Sequence, residues 1–214
     1  MLNQVDVLQC LHARRTTEVV VTTMAAVRPW GGISHSSLDF ASADSAMGHV
    51  ADFALGIALA QPSRRVICLN GDGSMLMSLG TLATIVEARV SNLIVFIMEN
   101  GTYEITGNQP VPGSRRIDYP ILAQAVGFPH AFRCESDREI ERTVSNALSV
   151  AGPVLVSFVV EPGNEGPISR SPNEEAPYLR HSLAESARHL RKALASVVRP
   201  ERGSRTRGRR RAES

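Results

Sequence analysis

Apolar positions along this chain follow two rhythms. Over residues 3–13 they return every three or four positions, which predicts a helix, whereas residues 18–22 form a short apolar run of the kind a buried strand makes. Residues 23–44 show neither rhythm and read as irregular. An Ala- and Gly-rich helix is expected over residues 47–60, a buried strand at 66–70, a helix over 75–88 and a strand at 93–99. Residues 119–126 read as a helix capped by Asp118 and stopped at Gly127, and 130–134 as a strand. Ser136 and Glu139 have the spacing of a capping box for a helix running to Ala151, and residues 154–160 form the last strand. Such alternation implies an α/β fold: three layers, a parallel sheet with helices on both faces, and ligands in the crevice beyond the strand carboxyl ends.

Composition sets the boundaries. With 214 residues, 43% of them hydrophobic, the chain can bury one substantial core and carry extensions. Residues 1–162 read as that domain. Residues 163–198 read as a Pro-, Gly-, Ser- and Asn-rich loop followed by a Leu-spaced helix over 183–198, which is expected to dock on a partner. Residues 199–214 form a basic tail with seven arginines and two glutamates, too poor in apolar side chains to fold and expected to be disordered; the remaining chain has a net charge of about −3. Nucleic-acid binding by this tail is the lesser expectation.

No run of 18 apolar residues occurs, and the first 15 residues carry acid and polar groups where a secretion signal has an apolar core. A cytoplasmic protein without a membrane span is expected. Cys10, Cys68 and Cys134 are scattered, which suits packed thiols and excludes a clustered iron–sulfur site, and with it a ferredoxin-linked oxidoreductase.

The chemistry concentrates between positions 71 and 102. Gly71-Asp72-Gly73-Ser74 follows one apolar run, and Asn100-Gly101-Thr102 closes the next. A carboxylate aimed at a phosphate is repelled unless a divalent cation lies between them, so Asp72 implies a hard cation. Gly71 and Gly73 permit close approach, and Ser74 is expected to open a helix whose free amides attract phosphate oxygens. Asn100 offers a side-chain oxygen and Thr102 a backbone carbonyl, ligands that Mg2+ or Ca2+ prefers. A nicotinamide-type GxGxxG fails because position 76 is Leu76. A strand-to-helix turn with a capping acid is the plain alternative.

These residues resemble the thiamin diphosphate enzymes, whose signature is GDG followed some 25 to 30 residues later by Asn. The chain is most similar to the small (beta) subunits of sulfopyruvate decarboxylase and to phosphonopyruvate decarboxylase, through Met47-Gly48-His49, residues 71–76, Asn100-Gly101 and Gly107-Asn108-Gln109-Pro110. The likeness covers residues 1–162 and the diphosphate-binding, C-terminal-type domain.

The resemblance implies thiamin diphosphate and Mg2+ as cofactors, with Asp72, Asn100 and Thr102 on the metal. Met47 corresponds to the apolar prop that bends the cofactor, and Ser45 lends a backbone carbonyl, although Ser45-Ala46 stands where Gly-Ser is usual. Gly71, Gly73, Ser74 and Tyr103 join the cofactor-binding set, with Glu104 a further candidate for the channel wall. His49 is a candidate for substrate contact or proton transfer, with a structurally satisfied histidine as the alternative. His35, Arg115 and Arg116 could meet an anionic group or lie on the surface. The activating glutamate of the family sits in a separate pyrimidine-binding domain, so a partner subunit is expected to supply it within a higher oligomer. The implied reaction is non-oxidative decarboxylation of a small anionic 2-oxo acid by a carbon–carbon lyase. Carboligation of the acetolactate type, or non-catalytic cofactor binding, is the alternative.

Overall fold

The computed structural model describes residues 1–42, 47–114 and 116–196. Helix α1 (Gln4–Arg14) leads into β1 (Val19–Thr22); a 3-10 turn at Met24–Ala26 is followed by α2 (Val27–Ile33) and β2 (Asp39–Ala41). Next come α3 (Val50–Ala60), β3 (Val66–Gly71), α4 (Asp72–Met77), α5 (Gly80–Glu87) and β4 (Leu93–Glu99). A small hairpin, β5 (Thr102–Tyr103) with β6 (Gln109–Pro110), precedes α6 (Tyr119–Val126), β7 (His130–Cys134), α7 (Asp137–Ser149), β8 (Val154–Val159) and α8 (Leu183–Ser196). The tail at 199–214 and the last positions expected for α8 lie outside the described residues.

Six strands form one parallel sheet in the order β2-β1-β3-β4-β8-β7. Successive side chains on a strand point to opposite faces, so each central strand feeds two cores. Val19, Val21, Cys68, Val95, Ile97 and Leu155 pack under α3, α5, α6 and α8. Val20, Ile67, Leu69, Phe96, Val156 and Phe158 pack under α1, α2 and α7. The three-layer α/β architecture expected from the alternation is the one the chain adopts. No helix among the described residues is long and apolar enough to cross a membrane.

Three local departures from the sequence reading have physical causes. Residues 23–44 are not irregular throughout: α2 forms despite Pro29, Gly31 and Gly32 because Trp30, fully buried, is gripped by α1. The His12 ring meets it edge-on at 6.0 Å and the Arg15 guanidinium lies 5.7 Å from its centroid. Asp39, a poor strand former, starts β2 because Arg15 pairs with it at 2.6 Å and the Ser34 hydroxyl donates to it. The helix expected over 75–88 is two helices broken at Ser78, the first beginning earlier, at Asp72. Ser136 precedes α7 without a side-chain cap, its backbone carbonyl accepting the Glu139 N–H instead.

One buried amide joins α3 to the sheet. The Asn92 side-chain nitrogen donates to the carbonyls of Ala58, Gln61 and Arg64 at 3.0, 2.9 and 2.8 Å, satisfying the end of α3 and the turn into β3. Asn92→Ala takes this donor from the Ala58 and Arg64 carbonyls, while the Gln61 carbonyl keeps the Arg64 N–H, and is expected to lower unfolding free energy by about 2 kcal/mol. Urea titration of both proteins measures the difference; coincident midpoints would show that the carbonyls find other donors.

Candidate functional site

Strands β3 and β4 run side by side in parallel, with Gly71 opposite Met98. The chain therefore leaves the sheet at Asp72 and at Asn100 on the same edge, one strand apart. Asp72 is 3% exposed. Its Oδ1 accepts the Gly73 N–H and its Oδ2 accepts the Gly101 N–H, each at 2.8 Å, so the carboxylate joins the two loops. Burial pushes the Asp72 pKa up, and the Gly101 and Gly73 amides pull it back. The Tyr119 hydroxyl donates to the Asp72 carbonyl at 2.8 Å and anchors the turn from below; burial, with Asp72 and Glu99 nearby, raises the phenol pKa.

Asn100 has a defined orientation. Its Nδ2 donates to Glu104 Oε2 at 2.8 Å, while Oδ1 accepts the Thr102 N–H at 3.0 Å and keeps a second lone pair. The Val111 N–H donates to the Gly101 carbonyl, so Thr102 and Pro110 face one another in a non-hydrogen-bonded position and the Thr102 carbonyl stays outside the ladder. Asp72, Asn100 and Thr102 all line one cavity at this edge, together with Met47, Gly71, Gly73, Ser74 and Tyr103.

Several details refine the sequence expectations. Ser74 lies inside α4 and does not open it; its hydroxyl accepts the Gly48 N–H at 2.9 Å, which pins the turn after Met47 against the Gly-Asp-Gly segment. Gly48 has φ +87°, open to glycine and strained for other residues. At Gly73 an added Cβ would come within 2.5 Å of the Tyr103 ring, so glycine is what lets the wall close on the turn. His49 does not line the cavity: its side chain is 70% exposed and Nδ1 faces Asp52 Oδ2 at 2.9 Å. His35 lines a different cavity, beside the start of β2 and α8, and Arg116 is exposed. Ser45 and Arg115 lie outside the described residues.

The donors present suit a hard cation with an anionic ligand. Among the described residues no cluster of three His, Cys, Asp or Glu side chains could hold a metal by itself. Asp72, Asn100 and Thr102 offer this cavity a carboxylate, an amide oxygen and a backbone carbonyl, an all-oxygen set that leaves coordination positions for phosphate oxygens or water; Glu104, a second carboxylate in the wall, is held by its own donors. Thr23, also in the wall, has a fully buried hydroxyl with no protein partner.

The sequence reading missed the wall contributed by residues 23–26 and Gln4. Met24 takes φ +48°, uncommon for a non-glycine residue, and the Gln4 side chain donates to the Ala25 carbonyl at 3.0 Å. A signal was present: Thr22 and Thr23 end an apolar strand at the edge where ligands bind in such folds.

Comparison with known proteins matches residues 34–158 to the family described as thiamine pyrophosphate enzyme, C-terminal TPP binding domain. Phosphonopyruvate decarboxylase of Streptomyces viridochromogenes is 35% identical over 161 residues, covering 75% of this chain and 37% of that protein. Sulfopyruvate decarboxylase subunit beta of Methanothermobacter thermautotrophicus is 39% identical over 118 residues, covering 55% of this chain and 60% of the subunit. The chain thus spans about a third of the first relative's length and three fifths of the second's. A solved structure from Mycobacterium smegmatis, described as a thiamin diphosphate-dependent enzyme, superposes with a TM-score of 0.62 over 76% of this chain and 32% of its own, at 21% identity, which speaks to the fold. The chain belongs to the thiamine pyrophosphate enzyme family, through its C-terminal TPP-binding domain.

Proposed function

We propose that this chain is the diphosphate- and magnesium-binding subunit of a heteromeric thiamin diphosphate-dependent 2-oxo acid decarboxylase, a carbon–carbon lyase acting on a small anionic substrate of the sulfopyruvate or phosphonopyruvate type. The observation that carries this reading is the convergence of the Asp72 carboxylate, the Asn100 amide oxygen and the Thr102 residue on one cavity at the ends of adjacent strands. The relatives' names support the reaction class.

In this reading the Asp72 carboxylate and Asn100 Oδ1 would hold Mg2+, with the Thr102 carbonyl as third ligand. Both side chains are already oriented by backbone amides, so little reorganisation is needed when the ion arrives. Gly71, with open space where a Cβ would stand, leaves room for the diphosphate, Gly73 lets the Tyr103 ring close on the turn, and Ser74 keeps the Met47 turn against it. Met47 and Tyr103 form apolar wall that excludes water from the bound coenzyme. Thiamin diphosphate supplies the electron sink for loss of carbon dioxide when bound. His49, with Nδ1 committed to Asp52, has Nε2 left for substrate contact or proton transfer once a partner covers this rim. That partner is the pyrimidine-binding subunit that brings the activating glutamate, in a cytoplasmic higher oligomer.

Product analysis of the reconstituted complex, supplied with Mg2+, thiamin diphosphate and in turn sulfopyruvate, phosphonopyruvate and pyruvate, tests the reading. Carbon dioxide and the matching aldehyde in equal amounts are expected. A branched hydroxy-keto acid from pyruvate would instead assign carboligation.

A further inference from the structure

Glu104 is a carboxylate only 7% exposed, and among the described residues it makes no ion pair. Such a group is held only by hydrogen-bond donors, and here there is one on each oxygen. Oε2 accepts the Asn100 Nδ2–H at 2.8 Å, and Oε1 accepts the Glu165 N–H at 2.9 Å. A carboxamide can present either its oxygen or its nitrogen to a neighbour, and here it is the nitrogen that faces Glu104 Oε2. Glu104 thereby directs the Asn100 oxygen away from itself.

A second connection reaches the same segment. The Thr102 hydroxyl donates to Asn108 Oδ1 at 2.7 Å, and Asn108 Nδ2 donates to the Gly163 carbonyl at 3.1 Å. An added Cβ at Gly163 would fall on the Glu104 carboxylate, so only glycine lets the two approach. From its far side the segment is gripped by Arg28, which donates to the Gly166 and Pro167 carbonyls at 3.1 and 2.8 Å and pairs with Glu165 and Glu174 at 3.2 and 3.1 Å. Asn100 and Thr102 are thus each tied to residues 163–165, beyond the end of the family match at 158.

We propose that Glu104 is a positioning residue for the cation site: braced by residues 163–165, it joins the Thr102 N–H in fixing the Asn100 carboxamide with its oxygen toward the cation. The inference rests on the reading of Asp72, Asn100 and Thr102 as cation ligands. Glu104 itself does not touch the ion. The strap at 163–167 acts on the site through it.

Calorimetric titration of Mg2+ into the full chain with saturating thiamin diphosphate tests this. Glu104→Gln preserves size but must set an amide NH2 against either Asn100 Nδ2 or the Glu165 N–H. Mg2+ affinity is expected to fall about 10- to 100-fold, as for other groups that orient metal ligands. In a double-mutant cycle, adding Glu104→Gln to Asn100→Ala is expected to cost nothing further, because Glu104 works through Asn100. A merely structural residue would give additive losses, and additive losses overturn the proposal. Gly163→Ala presses on the same carboxylate without removing a polar group and is expected to weaken Mg2+ similarly, which serves as the readout should the first variant not fold. Unchanged affinity in Glu104→Gln, with the wild-type chain binding Mg2+, overturns the positioning role alone; failure of the wild-type chain to bind overturns the cation-site reading with it.

Discussion

Asp72→Ala is expected to abolish magnesium-dependent thiamin diphosphate binding while the fold persists. The carboxylate is the one formal negative charge among the proposed ligands, and its loss leaves a dication held by two neutral oxygens. Affinity for the Mg2+ complex is expected to fall at least about a hundredfold, or roughly 2.8 kcal/mol. The cost to folding is small by comparison. Asp72 forfeits two backbone hydrogen bonds, from Gly73 and Gly101, but burial already disfavours its charged form, so truncation also removes a desolvation penalty. The unfolding midpoint of the ligand-free variant is expected to stay within a few degrees of wild type. Retained magnesium-dependent binding would place the cation elsewhere.

The second large effect is all-or-none. The 214-residue chain tested alone is expected to show no decarboxylase turnover with Mg2+, thiamin diphosphate and either 2-oxo acid, and to gain it when the pyrimidine-binding subunit is added. The described residues build one six-stranded sheet with its two helical layers, and its cavity gathers Asp72, Asn100 and Thr102, the ligands proposed for the cation. Glu104 and Glu99 are the buried glutamates near this edge, and both are committed. Glu104 accepts from Asn100 and Glu165; Glu99 accepts from Ser157 and pairs with Arg133 at 3.2 Å, with burial raising its pKa. Both carboxylates are thus satisfied within this chain. The wild type alone and the reconstituted mixture should therefore differ by more than any point variant does. Turnover by the rigorously purified single chain would refute the need for a second polypeptide.

The parallel sheet, and the meeting of Asp72 and Asn100 at one edge of it, were legible in the sequence because both rest on short-range signals. Strand β4 and helix α6 fall where apolar runs, Asp118 and Gly127 place them: the Asp118 side chain accepts the Ile121 N–H at 2.9 Å, and Gly127 takes the left-handed conformation. The spacing of Asp72 and Asn100 likewise allows one helical crossover and one return strand. What stayed hidden depends on partners distant in sequence. Helix α2 needs α1 on one side and, on the other, residues 176–178, where a Cβ at Gly31 would meet Ala176 at 2.5 Å. Half-buried Tyr178 donates to the Val27 carbonyl and meets the Thr22 hydroxyl at 3.1 Å, fastening α2 and β1 to a segment some 150 residues later. The break at Ser78 interrupts a continuous apolar rhythm, and Thr81, just beyond it, donates to Asp52 on α3 at 2.6 Å. The tie from Glu104 to Glu165 spans 61 residues and leaves no local pattern.

The most direct measurement is a calorimetric titration of thiamin diphosphate into the wild-type chain, once with Mg2+ in excess and once with the divalent ions chelated. Saturable binding of one equivalent with Mg2+ and none without it is the predicted result. Equal binding in both conditions would contradict the account, because Asp72 and Asn100 would then be holding no ion between the protein and the diphosphate.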